Sequence, residues 1–480
     1  MSHKGALKIL KNAKYLYMAL LMSQGLRFFY MLILARMLGA ELYGLFSYGQ
    51  SWYLMFLPLT GLGLGAMLSR EVGKNRKNVK SIVDLVASIR IAAVCIVAIL
   101  SMTLGIIYAD NQFIASLLVI FSVALIGKGM VLWANQMFQA FEATYLIFKI
   151  ERIFKPSEIL VSISVAILTE NILLIAAVHA VGQVIQGLVS IHLVNSNLKK
   201  VTLVFVPRKM ITTVIKLLPL AVAVVAGQFL FHGSVVQAKN LFTTSEQLGN
   251  FSLLMQLFIV LLTIFSSVSN AALPALSRSA ENNQNNLKLY SRIALYVASV
   301  FGIFAYIAAS LIGQQLIVFI FTEKFMLASE SFAFIMLTLI PAIIVNLLNS
   351  VQISLGHNIR VLVCNTSGAL LLVSSMPYCI QHFGFQGAPI SLCLSFSFSA
   401  SIGVLFLLRE RIIAIRDAVA VPILIATLFT ITEWLSSIFD GENISLLVGG
   451  GLVILALWYV ALQKQERVLF KSKIGSLLKR

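Results

Sequence analysis

The chain predicts an all-α polytopic membrane protein, and three observations carry that prediction. Hydrophobic residues make up 59% of the 480 and charged residues only 11%, with a mean hydropathy of +0.94. That is far more apolar side chain than a soluble core absorbs. The apolar residues fall in long runs, about fourteen of which approach the roughly 20 residues a helix needs to cross a bilayer. The basic residues concentrate in alternate connections, the asymmetry described by the positive-inside rule.

In chain order the expected spans are 15–36, 44–66, 82–107, 113–137, 155–169, 171–195, 212–235, 247–273, 290–312, 328–350, 358–380, 387–408, 416–437 and 443–463. The first follows Lys4, Lys8, Lys11 and Lys14, is long, contains Arg27 and lacks a small-x-small exit, so it is expected to remain as a span rather than leave as a signal peptide. The fifth and sixth divide only at Glu170-Asn171. Pro58 lies inside the second span with Gly61, Gly63 and Gly65 after it, which predicts either a bend or close packing between helices.

With the amino terminus inside, the inner connections carry Arg70, Lys74, Arg76, Lys77 and Lys80, then Lys149, Arg152 and Lys155, then Lys199, Lys200, Arg208 and Lys209, while the outer ones carry only Arg36, Lys239 and Lys324. This places both termini in the cytoplasm and requires an even number of spans. It also explains the net charge of +18 without a nucleic-acid partner. The lysines before the first span share one helical face, and the tail from Gln463 to Arg480 has the same basic, amphipathic character. Both suit contact with anionic membrane lipids, or simply set the orientation.

The chain also looks duplicated. Ala35-Arg36, Leu38-Gly39 and Tyr43-Gly44-Leu45-Phe46-Ser47 return as Ala238-Lys239, Leu241 and Leu248-Gly249-Asn250-Phe251-Ser252. Each copy joins two long apolar runs. The expected organisation is an N-lobe at 1–195 (helices 1–6), a basic cytoplasmic linker at 196–211, a C-lobe at 212–408 (helices 7–12), and helices 13–14 with a basic tail at 409–480. Six spans per lobe give parallel repeats about an axis along the membrane normal, with the substrate path between them.

Ionisable groups away from the span ends are the candidate site, because a charge in hydrocarbon is costly and usually faces a cavity or a partner. Arg27 is mid-span and too deep to snorkel readily. Arg90 and Lys128 lie about two turns inside their spans, where a cavity role and a structural one are both open, and Lys216 and Arg292 sit nearer the inner surface. This cationic set favours an anion such as a phosphate or pyrophosphate. Glu158, His179, His232 and Glu433 are the candidates for coupling to H+ or Na+. Pairing with Lys155 or Arg152 is the plainer account of Glu158, packing of the two histidines, and solvation of Glu433. No Walker loop, metal-ligand cluster or large extramembrane domain is present, so no cofactor, metal or enzymatic activity is expected. The four cysteines, Cys95, Cys364, Cys379 and Cys393, have no paired spacing and read as packing residues.

The chain resembles the polysaccharide transporter branch of the multidrug, oligosaccharidyl-lipid and polysaccharide exporter superfamily, in particular O-antigen or capsule repeat-unit flippases. The resemblance lies in Leu34-Ala35-Arg36-Met37-Leu38-Gly39 followed by Tyr43-Gly44-Leu45-Phe46, in Gly61-Leu62-Gly63 followed by Arg70, in Leu273-Pro274-Ala275-Leu276-Ser277 and in Phe383-Gly384-Phe385-Gln386-Gly387-Ala388. It implies two six-helix lobes in a V, two further helices, a bacterial cytoplasmic (inner) membrane location, and alternating access for a polyprenyl-pyrophosphate-linked glycan past cavity cations such as Arg27 and Lys128. One departure is that many relatives carry an aspartate where this chain has Gln237-Ala238-Lys239. Two competing functions remain: a multidrug cation exporter, which needs deep carboxylates, and a membrane glycan polymerase or ligase, which needs a large outer loop.

Overall fold

The computed structural model describes residues 3–74, 79–282 and 284–418, and among them every regular element is helical. Helix α1 (His3–Gly61) holds the first two expected spans. They are separated by Gly39, whose φ of 70° and ψ of 177° interrupt the helix in a region that L side chains disfavour. The helix ends after Pro58, where Leu62 and Gly63 both take positive φ, so the expected bend falls at this Pro-Gly cluster. Then come α2 (Leu64–Lys74), α3 (Lys80–Ile107), α4 (Gln112–Ala140), α5 (Tyr145–Thr169) and α6 (Ile172–Asn197).

Local chemistry fixes several ends. Asn111 Oδ1 accepts from Ile114 N at 2.9 Å to cap α4, and Asn171 Oδ1 accepts from Leu173 N at 2.9 Å to cap α6; short polar side chains at this position satisfy first-turn amides that have no partner within the helix. Glu170, left-handed with φ 50°, closes α5. The division at Glu170-Asn171 is therefore a helix end followed at once by a helix start.

The chain continues through α7 (Pro207–Gln228), one π turn (Phe229–Gly233), α8 (Ser234–Lys239), α9 (Ser245–Asn282), α10 (Gln284–Phe321), α11 (Met326–Leu337), α12 (Leu339–Ser354), α13 (Asn358–Phe383) and α14 (Gly387–Arg409). Among the described residues eight helical stretches are long and apolar enough to cross a membrane, and nine if α11 and α12, bent by 42°, form one span. Two of them, Lys14–Gly61 and Asn358–Arg409, each hold two of the expected spans. Helix α5 is not among them because Arg152, Lys155 and Glu158 interrupt its apolar sequence. The expected runs 416–437 and 443–463 lie, beyond Ala418, outside the described residues.

Two compact units divide the chain: residues up to Met255 with Ile320–Phe325, and Gln256–Phe319 with the chain from Met326 onward. In the first, Leu64, Leu68, Val83, Trp133, Met137, Phe138 and Ile147 build the apolar core from α2 to α5. Helices α4 and α6 approach through Gly127 and Gly187: a Cβ on Gly187 would lie 2.9 Å from the Gly127 carbonyl. Small residues at such a crossing let backbones meet where no hydrophobic drive operates between helices. The segment after α6 is tied to α3, as Thr202 N and Oγ1 donate to Asp84 Oδ1 and Oδ2 at 2.9 and 2.7 Å and Val204 N donates to Ser88 Oγ at 2.9 Å.

The second unit carries its own polar ties. Arg292 Nε donates to Asp417 Oδ1 at 3.2 Å, Tyr296 OH donates to the same oxygen at 2.9 Å, and Arg360 pairs with Glu410 at 2.5 Å.

Candidate transport site

In the first unit α1 lines a small cavity with Arg27, Tyr30, Met31 and Leu34 before the Gly39 break and Tyr43, Phe46, Ser47 and Gln50 after it. The break thus lets one helix wall the cavity from two directions. Deeper along α1, Tyr53 stacks on Phe121 of α4, ring centroids 5.8 Å apart and planes within 7°, and its hydroxyl is hydrogen-bonded to His179 Nε2 of α6 at 3.1 Å.

His179 passes the connection to α5. Its Nδ1 lies 2.5 Å from Glu158 Oε1, while Glu158 Oε2 accepts from Lys155 Nζ at 2.9 Å and from Gln183 Nε2 at 3.3 Å. Both Glu158 and His179 are buried. A carboxylate in an apolar bundle is tolerable when its lone pairs are filled in this way. Two turns back on α5, Glu151 Oε1 accepts from Gln186 Nε2 at 3.1 Å.

This network interacts electrostatically with the cavity. Arg27 feels Tyr53, Tyr43 and Glu158, Lys128 feels Lys155, Glu151, Glu158 and Arg27, and His232, in the π turn after α7, feels Arg27. Arg27, Lys128 and Lys155 face Glu151 and Glu158, so the cluster holds one positive charge in excess before its histidines are counted.

Of the residues singled out in the sequence, Arg27, Lys128, Glu158, His179 and His232 come together here, and the others do not. Arg90 is only 1% exposed and donates to Gln136 Oε1 at 2.9 Å and Thr60 Oγ1 at 3.4 Å, holding α3 against the Pro58 bend and α4. Lys216 is exposed on α7, Arg292 belongs to the second unit, where it meets Asp417, and Glu433 lies outside the described residues. The sequence reading missed Tyr53, Glu151 and Gln183 as members of the network. Glu151, Lys155 and Glu158 at spacings of four and three, with His179 and Gln183 one turn apart, were the available signal: such residues share a helix face.

Two bundles of membrane-crossing helices, one wrapped around a buried polar cluster, are the architecture of a multi-pass membrane protein. The structure is similar to lipid II flippase MurJ in its inward closed conformation, with a TM-score of 0.64 and 14% identity, covering 93% of this chain and 98% of that one. It is also similar to an aspartate-to-asparagine mutant of the Vibrio cholerae MATE transporter VcmN, at 0.62 and 14%, covering 84% and 96%, and to the eukaryotic MATE transporter AtDTX14, at 0.55 and 14%, covering 85% and 99%. At these identities the likeness defines the fold. The sequence pattern of the polysaccharide biosynthesis protein family matches residues 9–280, more than half of the chain, and the chain belongs to that family. A search of curated proteins finds no match.

Proposed function

We propose that the protein is a flippase that carries a polyprenyl-pyrophosphate-linked oligosaccharide, an O-antigen or capsule repeat unit, from the inner to the outer leaflet of the bacterial cytoplasmic membrane. The observation that carries this reading is Arg27 on the cavity wall, in one electrostatic cluster with Lys128. A guanidinium offers a planar fork of donors to a phosphate and an ammonium offers a point charge. Together they suit a pyrophosphate whose polyprenyl tail stays in lipid. Tyr43, Ser47 and Gln50, which line the same cavity, offer hydroxyl and amide groups to sugars.

In this reading the lobes at 1–195 and 212–408, related by an axis along the membrane normal, rock against each other in alternating access, with both termini in the cytoplasm. The two motif copies support that symmetry. Gly44 of the first and Gly249 of the second occupy equivalent positions and pack on each other: a Cβ on Gly44 would lie 2.6 Å from Gly249 N. No step is chemical, so the protein acts as a transporter and not as an enzyme.

Export of organic cations is the second reading, favoured by the buried carboxylates Glu151 and Glu158. Glu158 has both oxygens engaged, by Lys155, His179 and Gln183, while Glu151 accepts from Gln186 on Oε1 and keeps a buried Oε2 without a hydrogen bond among the described residues, so Glu151 is the carboxylate this reading would use.

The test is complementation of a flippase-deficient strain, reading surface glycan alongside membrane abundance. Arg27→Ala is expected to reduce export by about tenfold to a hundredfold at normal abundance, the equivalent of about 1.5–3 kcal/mol for a charged hydrogen bond. Arg27→Lys should restore part of it and Arg27→Glu should be worse than Ala. Normal export by the Glu variant would remove Arg27 from the substrate path.

A further inference from the structure

The hydrogen-bonded line Tyr53–His179–Glu158–Lys155 ties α1, the helix that lines the cavity, to a buried acid–base pair that the transport scheme above does not use. We propose that Glu158 and His179 form a proton site that fills when the anionic substrate binds, so that the pyrophosphate lipid and one proton occupy the protein together. This rests on the anionic-substrate reading of the cavity.

The argument is one of geometry and charge. Glu158 Oε1 and His179 Nδ1 are 2.5 Å apart, close enough to share one proton between a carboxylate and an imidazole. Without the extra proton the pair carries one negative charge, and with it none.

Among the described residues, charged and polar side chains on five elements set how that change is felt, Tyr30 of α1 among them. From α5 come Lys155, on Glu158 Oε2 at 2.9 Å, and Glu151, which shares with Glu158 the field at Lys128. From α6 comes Gln183, at 3.3 Å. From α1 come Tyr53, on His179 Nε2 at 3.1 Å, and Arg27 across the cavity wall. From α4 comes Lys128, and from the π turn His232, which acts through Arg27.

In the empty cavity Arg27 and Lys128 are partly neutralised by the negative Glu158. A pyrophosphate entering beside them is repelled by that same carboxylate. Protonation of the pair removes the repulsion, so anion and proton bind better together than alone, and linkage makes the effect reciprocal. A competition between proton and substrate would need the two to seek the same sign of charge, and here they seek opposite signs. The proton is drawn from water on whichever side the cavity is open.

The probe is an undecaprenyl-pyrophosphoryl sugar. As a pyrophosphate diester it has only strongly acidic groups, so its own charge is constant across the range. Its binding to the purified full-length protein is measured from about pH 5 to 8, together with the protons taken up in weak buffer. Wild type is expected to tighten with falling pH, by at most tenfold per pH unit for one linked proton, and to take up as much as one proton per lipid bound. Glu158→Gln keeps the shape and the hydrogen bonding but not the charge. It should bind at least as well as wild type at high pH, with uptake lost and the pH slope flattened. If Glu158→Gln does not yield folded protein, His179→Gln is used instead: it keeps the Glu158 charge and removes the proton acceptor, so uptake should be lost, the slope flattened and binding at low pH weaker than wild type. Equal slopes in wild type and variant would move the proton to His232 or elsewhere and overturn the proposal, as would wild-type binding with no uptake at any pH. Failure of wild type to bind the probe at all would instead sink the anionic-substrate reading itself.

Discussion

Gly44 and Gly249 give the most direct test of the contact between the two motif copies. An alanine at 44 would place its Cβ 2.6 Å from Gly249 N, 2.8 Å from Gly249 Cα and 2.8 Å from the Ser245 carbonyl. All three are backbone atoms near the start of α9, and no rotamer change can move them aside. Restoring ordinary contact at 3.4 Å requires the two helices to part by about 0.8 Å. Over-packing of this kind costs about 1–3 kcal/mol, which is about a 5- to 150-fold loss in the population of the packed arrangement.

Gly25, also in α1, is the internal control, since a Cβ there meets nothing within 4 Å. Gly25→Ala should be neutral or stabilising by up to about 1 kcal/mol from helix propensity. The assay is thermal unfolding of the purified protein in detergent, read by fluorescence-detected size exclusion, with membrane abundance alongside. Gly44→Ala should melt clearly below wild type and Gly25→Ala at or above it. Equal melting of the two variants would show that α1 and α9 do not pack through these glycines.

The other expectations follow from how each polar group is held. Arg90→Ala leaves Gln136 and Thr60 without their donor in a buried site and should cost about 2–5 kcal/mol, so membrane abundance falls while transport per folded molecule is kept; lost transport at full abundance would place Arg90 in the substrate path. Asp84→Ala removes two bonds to Thr202 and, at about 1.5 kcal/mol or more for a charged acceptor, should speed proteolytic cutting within residues 201–206 about tenfold, whereas an unchanged rate would mean that the segment is held otherwise. The Lys239–Asp110 pair has an aspartate side chain 62% exposed, so Lys239→Ala should alter stability by less than about 1 kcal/mol; a larger loss in the same melting assay would refute that ranking.

Much of the helical plan was legible in the sequence because membrane spans declare themselves by composition. Glu170-Asn171 and Gly39 mark breaks that any apolar run must have a reason to tolerate, and both proved to be backbone features. The joining of Lys155 to Glu158 was legible as an i,i+3 pair. What escaped was whatever depends on three helices meeting. Arg27 and Arg90 are alike in sequence, each an arginine deep in an apolar run, yet one lines a cavity and the other is clasped by Gln136 and Thr60. Depth in the span favours a cavity for Arg27 and leaves Arg90 open, because the partners that decide, Gln136 and Thr60, come from other helices. The Tyr53–His179–Glu158 line was hidden for the same reason: its members are 126 and 21 residues apart and meet only where α1, α5 and α6 pack together. Helix α5 was expected to begin at 155 and begins at Tyr145, since its charged first turns lower the hydropathy without breaking the helix.

The central claim, that an anionic lipid-linked glycan is the cargo, is tested most directly by reconstitution. The protein is placed in vesicles with a fluorescent undecaprenyl-pyrophosphoryl oligosaccharide in both leaflets, and protein-dependent loss of protection from an impermeant quencher is compared with accumulation of an organic cation in matched vesicles. The account expects the glycan lipid to cross with wild type and to be trapped with Arg27→Glu, while the cation is not moved by either. Cation transport by wild type, with the glycan lipid left in its original leaflet, would contradict it.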